Sequence, residues 1–400
     1  MSRHHTEAVF PGGARPFIYF LTFIGAFAPL STDLYLPAMP AMTAQFHAGP
    51  ELMGLTISGF LFCFALSMPV WGPFSDKYGR RPVLLAGAAL YIVSCVVLAL
   101  TDSLAMLIFW RCAQGVGSGA LSTVSLALVK DVFRGAALVR VVALVQTMHV
   151  LAPMLAPVLG GALLMITSWR GVFWVQACCG ALALAGGWAQ KETLRHPLTG
   201  SPLDALLRVP FVLSDRGFRH LLLLFSAAVM PFMAYLGISA YVFQAVFDVS
   251  PQQFSLFFAA NAAVSMLGPL CHMRVFHVWN RRRFIAGSFL TILAGGIALI
   301  VVGDQGPFWF ALCFLPITFA GSAVRPPSTV LMMRQLSTDT GTVSSLIGSA
   351  GLLCGSLSMT LCAASFWPDY ITAAAVISCT VGAVGFGYWL WLDRTRAFRT

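Results

Sequence analysis

Asp33 stands alone as the acid inside the first long apolar stretch, in Ser31-Thr32-Asp33-Leu34-Tyr35-Leu36-Pro37-Ala38-Met39-Pro40. A carboxylate in such a setting can take up and release a proton, because desolvation and neighbouring charges shift its balance. Arg111, in Arg111-Cys112-Ala113-Gln114-Gly115-Val116-Gly117-Ser118-Gly119, is the matching cation. A guanidinium inside an apolar run is costly and faces a cavity or a partner. Gln114 lies one turn beyond it, and Tyr35 follows Asp33 by two residues. His149, near the middle of another apolar run, is a third group able to titrate. Tyr235, with Phe232 and Tyr241, adds aromatic surface in a seventh run. These residue types handle protons and charged or aromatic ligands. They do not make an enzyme: the chain has no HExxH, no GxSxG, no carboxylate cluster within the runs and no GxxxxGK[ST] nucleotide loop. Its ten cysteines have no CxxC or Cys/His metal spacing and read as small core residues, so no cofactor or metal is expected.

The elements that position these residues are membrane helices. The chain is 58% hydrophobic and 10% charged over 400 residues, with a mean hydropathy of +0.83, against roughly 25% charge in soluble domains. Apolar runs of about 20 residues span a bilayer as helices. They fall at 17–36, 52–71, 83–100, 104–129, 139–166 and 171–189, and again at 219–243, 254–276, 284–302, 307–332, 343–366 and 370–392. The expected fold is therefore an all-α membrane protein of twelve transmembrane helices in two six-helix bundles, residues 1–189 and 219–400, joined by a polar cytoplasmic linker at 190–218. The basic N-terminus leads into 17–36 without a cleavage site, so this run reads as the first helix and not as a removed signal.

Net charge is +10, but it does not form a nucleic-acid surface. The 24 Lys and Arg residues collect in the loops of one side and at both termini, with Arg111, Arg170 and Arg325 as the exceptions. By the positive-inside rule that side is cytoplasmic, as are both termini. The halves also resemble each other: Gly72-Pro73-Phe74 followed by RRPVLLAG has a counterpart in Gly268-Pro269-Leu270 followed by RRRFIAG, about half a chain later.

Between the second and third runs stands Gly72-Pro73-Phe74-Ser75-Asp76-Lys77-Tyr78-Gly79-Arg80-Arg81-Pro82. Gly79 permits an unusual backbone angle, Pro82 suits the opening of the next helix, and the arginines stay among headgroups. This loop resembles the signature loop of the major facilitator superfamily. The resemblance implies a conformational gate of Gly72, Asp76, Gly79, Arg80, Arg81 and Asp131, in which Asp76 meets the TDTGT start of helix eleven and the arginines meet Asp131 at the end of helix four. Arg111 to Gly119 resembles the family's RxxQGxGxA segment, and Gly115 and Gly119 are spaced for close helix packing. Ala152-Pro153-Met154-Leu155-Ala156-Pro157-Val158-Leu159-Gly160-Gly161 looks like the antiporter signature of drug exporters, with Ala152 where a glycine is usual. Pro153 and Pro157 would kink this helix, and Gly160 and Gly161 would flatten one face. The segment around Asp33 is similar to the D-x-Y-L-P-x-x-P segment of the Bcr/CflA subgroup of drug/proton antiporters.

At 1.5 Å per residue, Asp33 lies roughly 24 Å from the inner end of helix one and Arg111 roughly 10 Å from the outer end of helix four, so the two can meet directly or through water. Gln146, Asn261 and Arg325 are weaker candidates, Arg325 lying toward the inner end where its stem can snorkel. The resemblance implies a monomeric drug/proton antiporter of the bacterial inner membrane. Its cargo would be lipophilic or cationic small molecules, its coupling ion the proton and its mechanism alternating access. Exporters of a specific metabolite, siderophore or metallophore, and an uncoupled facilitator, remain alternatives. A channel would need pore-lining rings, and none is evident.

Overall fold

The computed structural model describes residues 13–194, 201–274, 280–336, 340–395 and 398; within these, the side chains at 136, 139, 143, 146, 149, 150, 202–206, 340 and 341 lie outside the described set. The described residues are helical, with no strand among them. In chain order the helices are α1 (Ala14–Gly25), α2 (Phe27–Asp33), α3 (Met39–Gln45), α4 (Pro50–Tyr78), α5 (Arg80–Leu100), α6 (Leu104–Val132), α7 (Gly135–Leu163), α8 (Trp169–Ala189) and α9 (Pro202–Ser214). They continue with α10 (Arg216–Ala227), α11 (Met230–Tyr241), α12 (Pro251–Arg274), α13 (Arg281–Val302), α14 (Pro307–Ala323), α15 (Arg325–Gln335), α16 (Thr340–Cys362) and α17 (Tyr370–Thr395).

Ten of these helices or helix pairs are long and apolar enough to cross a membrane among the described residues, and a pair bent by 43°, Ala14–Gly25 with Phe27–Gln45, makes an eleventh. The remaining expected run falls on α7, whose described apolar stretch is Leu151–Leu163. The chain is a multi-pass membrane protein.

The first run is not the single helix that hydropathy predicts. It bends at Ala26, stops as an α-helix at Asp33 and passes through a 3-10 turn, Leu36–Ala38, into α3. Pro37 explains the stop: it has no N–H for the carbonyl of Asp33, and its ring crowds that carbonyl. Asp33 thus sits at a helix break. The span of 307–332 is broken in the same manner, between α14 and α15, by Pro326 and Pro327. The 190–218 linker contains α9, capped off from α10 by Asp215, whose carboxylate accepts from the Phe218 N–H at 2.7 Å.

The chain divides into two compact units, Met1–Met42 with Gly59–Leu206, and Thr43–Ser58 with Leu207–Thr400. The first has a core of Phe17, Leu21, Leu84, Ala88, Leu121 and Val124, from α1, α5 and α6. In the second, α13 packs along α17, where Trp389 Nε1 donates to the Arg282 carbonyl at 3.0 Å and Arg282 pairs with Asp393. Outside the cores the helices expose large apolar side chains such as Phe109, Leu182, Trp188, Leu256 and Ile300, as lipid-facing surfaces do. Cys178 is exposed in that way, so not every cysteine is the core residue that composition suggests; Cys95, Cys313 and Cys362 are buried.

Candidate functional site

Asp33 is buried, 1% exposed. Its one hydrogen bond among the described residues comes from the neighbouring Thr32 hydroxyl, at 2.9 Å to Oδ1. Arg111 is fully buried as well, but it does not form the direct ion pair with Asp33 that their depths allow. Its Nη1 donates instead to the Ser31 carbonyl at 3.0 Å and to Gln114 Oε1 at 2.6 Å. The guanidinium lies over the rings of Tyr35 at 4.8 Å and Phe60 at 4.7 Å, a setting that suits a weakly hydrated planar cation.

Gln114 extends the network. Its amide nitrogen donates to Gln176 Oε1 at 2.7 Å and approaches Cys95 Sγ at 3.1 Å. The Ser31 hydroxyl donates to the Phe27 carbonyl at 2.6 Å and meets the Tyr91 hydroxyl at 2.7 Å. Gln176 and Tyr91 were not singled out by sequence. Each is one polar residue in an apolar helix, a signal of the same kind as Gln114 but without a motif around it. Together α2, α5, α6 and α8 hold Arg111 in one orientation against α2, two residues before Asp33.

The antiporter-like helix reaches the same place. A Cβ on Gly160 would lie 2.1 Å from the Leu34 carbonyl oxygen, so only glycine lets α7 touch the backbone next to Asp33. Pro153 and Pro157 lie within α7 without ending it. The His149 and Gln146 side chains fall outside the described residues. Tyr235 belongs to the second unit: it is fully buried there, with its ring 5.7 Å from Phe258 and 4.8 Å from Phe314.

Several of the residues expected to form a gate meet at the α4–α5 turn. Arg80 Nη1 meets Asp76 Oδ1 at 2.5 Å, and Arg80 Nε meets Asp131 Oδ2 at 2.9 Å. Asp131 is thus the expected partner of the arginine, whereas Asp76 pairs within its own loop; residues 337–339, with Asp339, lie outside the described residues. Gly79 has φ of 109°, and a Cβ there would stand 2.4 Å from Glu192 Oε2. Glu192, which sequence reasoning missed, accepts the N–H groups of Arg80 and Arg81, both at 3.0 Å. A carboxylate on the free N–H groups of a helix start is the usual anionic cap. Gly72 lies in α4, and Arg81 Nη2 donates to the Trp188 carbonyl at 2.8 Å.

Residues 21–359 match the Major Facilitator Superfamily. The chain is 28% identical over 347 residues, 85% of its length and 86% of the relative's, to the uncharacterized MFS-type transporter YdgK of Bacillus subtilis (strain 168). It is 30% identical over 247 residues to the multidrug transporter MdfA of Yersinia pestis bv. Antiqua (strain Angola), covering 61% of this chain and 59% of the relative. To the multidrug resistance protein MdtL of Escherichia coli O45:K1 (strain S88 / ExPEC) it is 26% identical over 362 residues, 90% and 87% of the two chains. Among solved structures, the fold is shared with the peptide transporter POT in complex with sulfate (TM-score 0.76, 14% identity, all of both chains). It is shared also with a bacterial homolog of the human lysosomal transporter Spinster (TM-score 0.73, 13% identity, 97% and 100%). The chain belongs to the Major Facilitator Superfamily, and it is a membrane transporter rather than an enzyme.

Proposed function

We propose that the protein is a proton-coupled exporter of lipophilic or amphipathic small molecules, a drug/proton antiporter of the Bcr/CflA subgroup working by alternating access. In this reading it has twelve spans and cytoplasmic termini, and it acts as a monomer in the bacterial inner membrane. The observation that carries it is Asp33: a buried carboxylate at a helix break, unpaired with the nearby Arg111, in contact with an export-type helix through the next residue. A carboxylate so placed can exist neutral or charged, and which form is favoured changes with its hydration and with the distance to Arg111. Loading of a proton from outside releases cargo, and loss of that proton inside restores the cargo-binding form. The names of the relatives support drug export, and the fifth-helix motif supports antiport.

The test is counterflow in proteoliposomes with an imposed pH gradient, following internal pH and cargo together for rhodamine 123 and chloramphenicol. Proton movement opposite to cargo supports the reading; cargo movement indifferent to the gradient leaves an uncoupled facilitator.

A further inference from the structure

Arg325 opens α15 at the break in the span Pro307–Gln335. It lies 18 residues from the outer end and 10 from the inner end, roughly 27 Å and 15 Å along the axis. Its side chain is exposed at that depth and makes no hydrogen bond or ion pair among the described residues. Arg111, the other arginine deep in a span, is by contrast wrapped in carbonyl, amide and ring contacts.

The exposure is on the face away from the exposed apolar residues of α14. The exposed residues of α14 include Leu312 and Pro316, and Arg325 stands nine residues after Pro316, two and a half turns, hence on the opposite face. On its own face, two turns back, is Thr318, buried at 2% exposure with a hydroxyl that has no hydrogen-bond partner. Helical side chains lean toward the N-terminus of their helix, a direction that carries Arg325 toward Thr318 and away from the inner interface. Pro326 and Pro327 remove two more N–H donors, which leaves the carbonyls of Ser322 and Ala323 without helical partners.

Further unpartnered groups stand near Thr318. Asn261, 2% exposed, has neither amide atom paired, and Tyr235 has an unpaired hydroxyl. The ring of Tyr235 packs against Phe258 and Phe314, and Asn261 and Thr318 are the next-turn neighbours of those two phenylalanines. The lean of Tyr235 toward the start of α11 points its hydroxyl to that turn. A charged guanidinium facing water at mid-membrane, below a buried set of neutral hydrogen-bonding groups walled by aromatic rings, is a costly arrangement unless an anion completes it.

The geometry points to Arg325 as a cargo-binding residue that recognises an anionic group, a carboxylate, sulfonate or phosphate, on an amphipathic aromatic molecule. The cargo range therefore includes organic anions as well as the neutral and cationic molecules of the reading above. This inference rests on the export reading only in that the bound anion is cargo; binding itself can be measured without any gradient.

The test compares two xanthene dyes of similar shape and opposite charge, fluorescein and rhodamine 123, by fluorescence anisotropy on the purified full chain in neutral detergent. Uptake into proteoliposomes is measured in parallel. The wild type binds and transports fluorescein. Arg325→Gln weakens fluorescein binding tenfold or more and strengthens rhodamine 123 binding by removing a like charge, while Arg325→Lys keeps part of the fluorescein affinity. Four results would overturn the proposal: no fluorescein binding by the wild type, equal weakening of both dyes in Arg325→Gln, no change in either, or binding that phosphatidylglycerol displaces without any fluorescein transport, which would mark a lipid headgroup site. If fluorescein moves with Arg325 dependence but without proton counterflow, the coupling reading fails and this one stands.

Discussion

Gly160 and Leu34 touch backbone to side-chain position: a Cβ at 160 would fall 2.1 Å from the Leu34 carbonyl oxygen. The contact joins two stretches that sequence presents as separate motifs, the Pro153–Pro157 helix α7 and the Asp33 segment. Any motion of α7 is therefore felt one residue from the carboxylate.

Gly160→Ala forces the two backbones apart by more than an ångström, since the atom it meets is main chain. Overpacking of this kind costs about 1–3 kcal/mol. The expected outcome is a lowered melting temperature in detergent and slowed export, with Gly160→Leu abolishing both fold and transport. Export by Gly160→Ala at the wild-type rate would show that this approach does not control the Asp33 segment.

Asp33→Asn keeps an acceptor for the Thr32 hydroxyl and so should fold normally. It cannot lose a proton. The expected result is retained binding of rhodamine 123 with transport that no longer responds to an imposed pH gradient. Preserved proton counterflow in this variant would move the coupling site elsewhere.

Gln176→Leu leaves the Gln114 amide without its strongest acceptor in a buried site, at a cost of about 1–3 kcal/mol. Arg111→Lys cannot replace the planar cation that lies over Tyr35 and Phe60 while donating to Ser31 and Gln114. Both variants should lose transport, and Gln176→Leu should do so with a measurable drop in melting temperature. Unaltered transport in both would make the network a packing feature alone.

Glu192→Ala removes the acceptor for the first N–H groups of α5, a capping loss of about 0.5–2 kcal/mol. Gly79→Ala adds strain from φ of 109° and a collision with Glu192. Because the collision disappears when Glu192 is cut back, the two substitutions should be less damaging together than their sum, measured by thermal denaturation of the four species in a double-mutant cycle.

Much of the architecture was legible in order of residues. Apolar runs of bilayer length require helices, because lipid offers the backbone no other hydrogen-bond partners. Hence the expected runs coincide with helices or bent helix pairs. The loop between α4 and α5 announced its own turn through Gly79, and its family resemblance implied Asp131 as a partner for the arginines, of which Arg80 meets it. The break at Asp33 was not read from hydropathy, which runs on through 17–36; it comes from Pro37, which leaves the Asp33 carbonyl without its helical partner.

What tertiary structure alone decided is which side chains meet. Hydropathy reports depth, and depth let Asp33 and Arg111 approach; it does not report azimuth around a helix. The packing of α2 on α6 and α8 gave Arg111 to the Ser31 carbonyl and Gln114, brought in Gln176 and Tyr91 from helices without motifs, and left Asp33 to Thr32. In the same way Glu192, in a polar linker with no periodic signal, became the cap of α5, and Tyr235 went to the interior of the second unit. Arg325 turned to the face opposite the exposed residues Leu312 and Pro316. Composition and period determine that a chain is a bundle of membrane helices; the rotation of each helix about its axis is settled by close packing, a property of many side chains at once that no local segment contains.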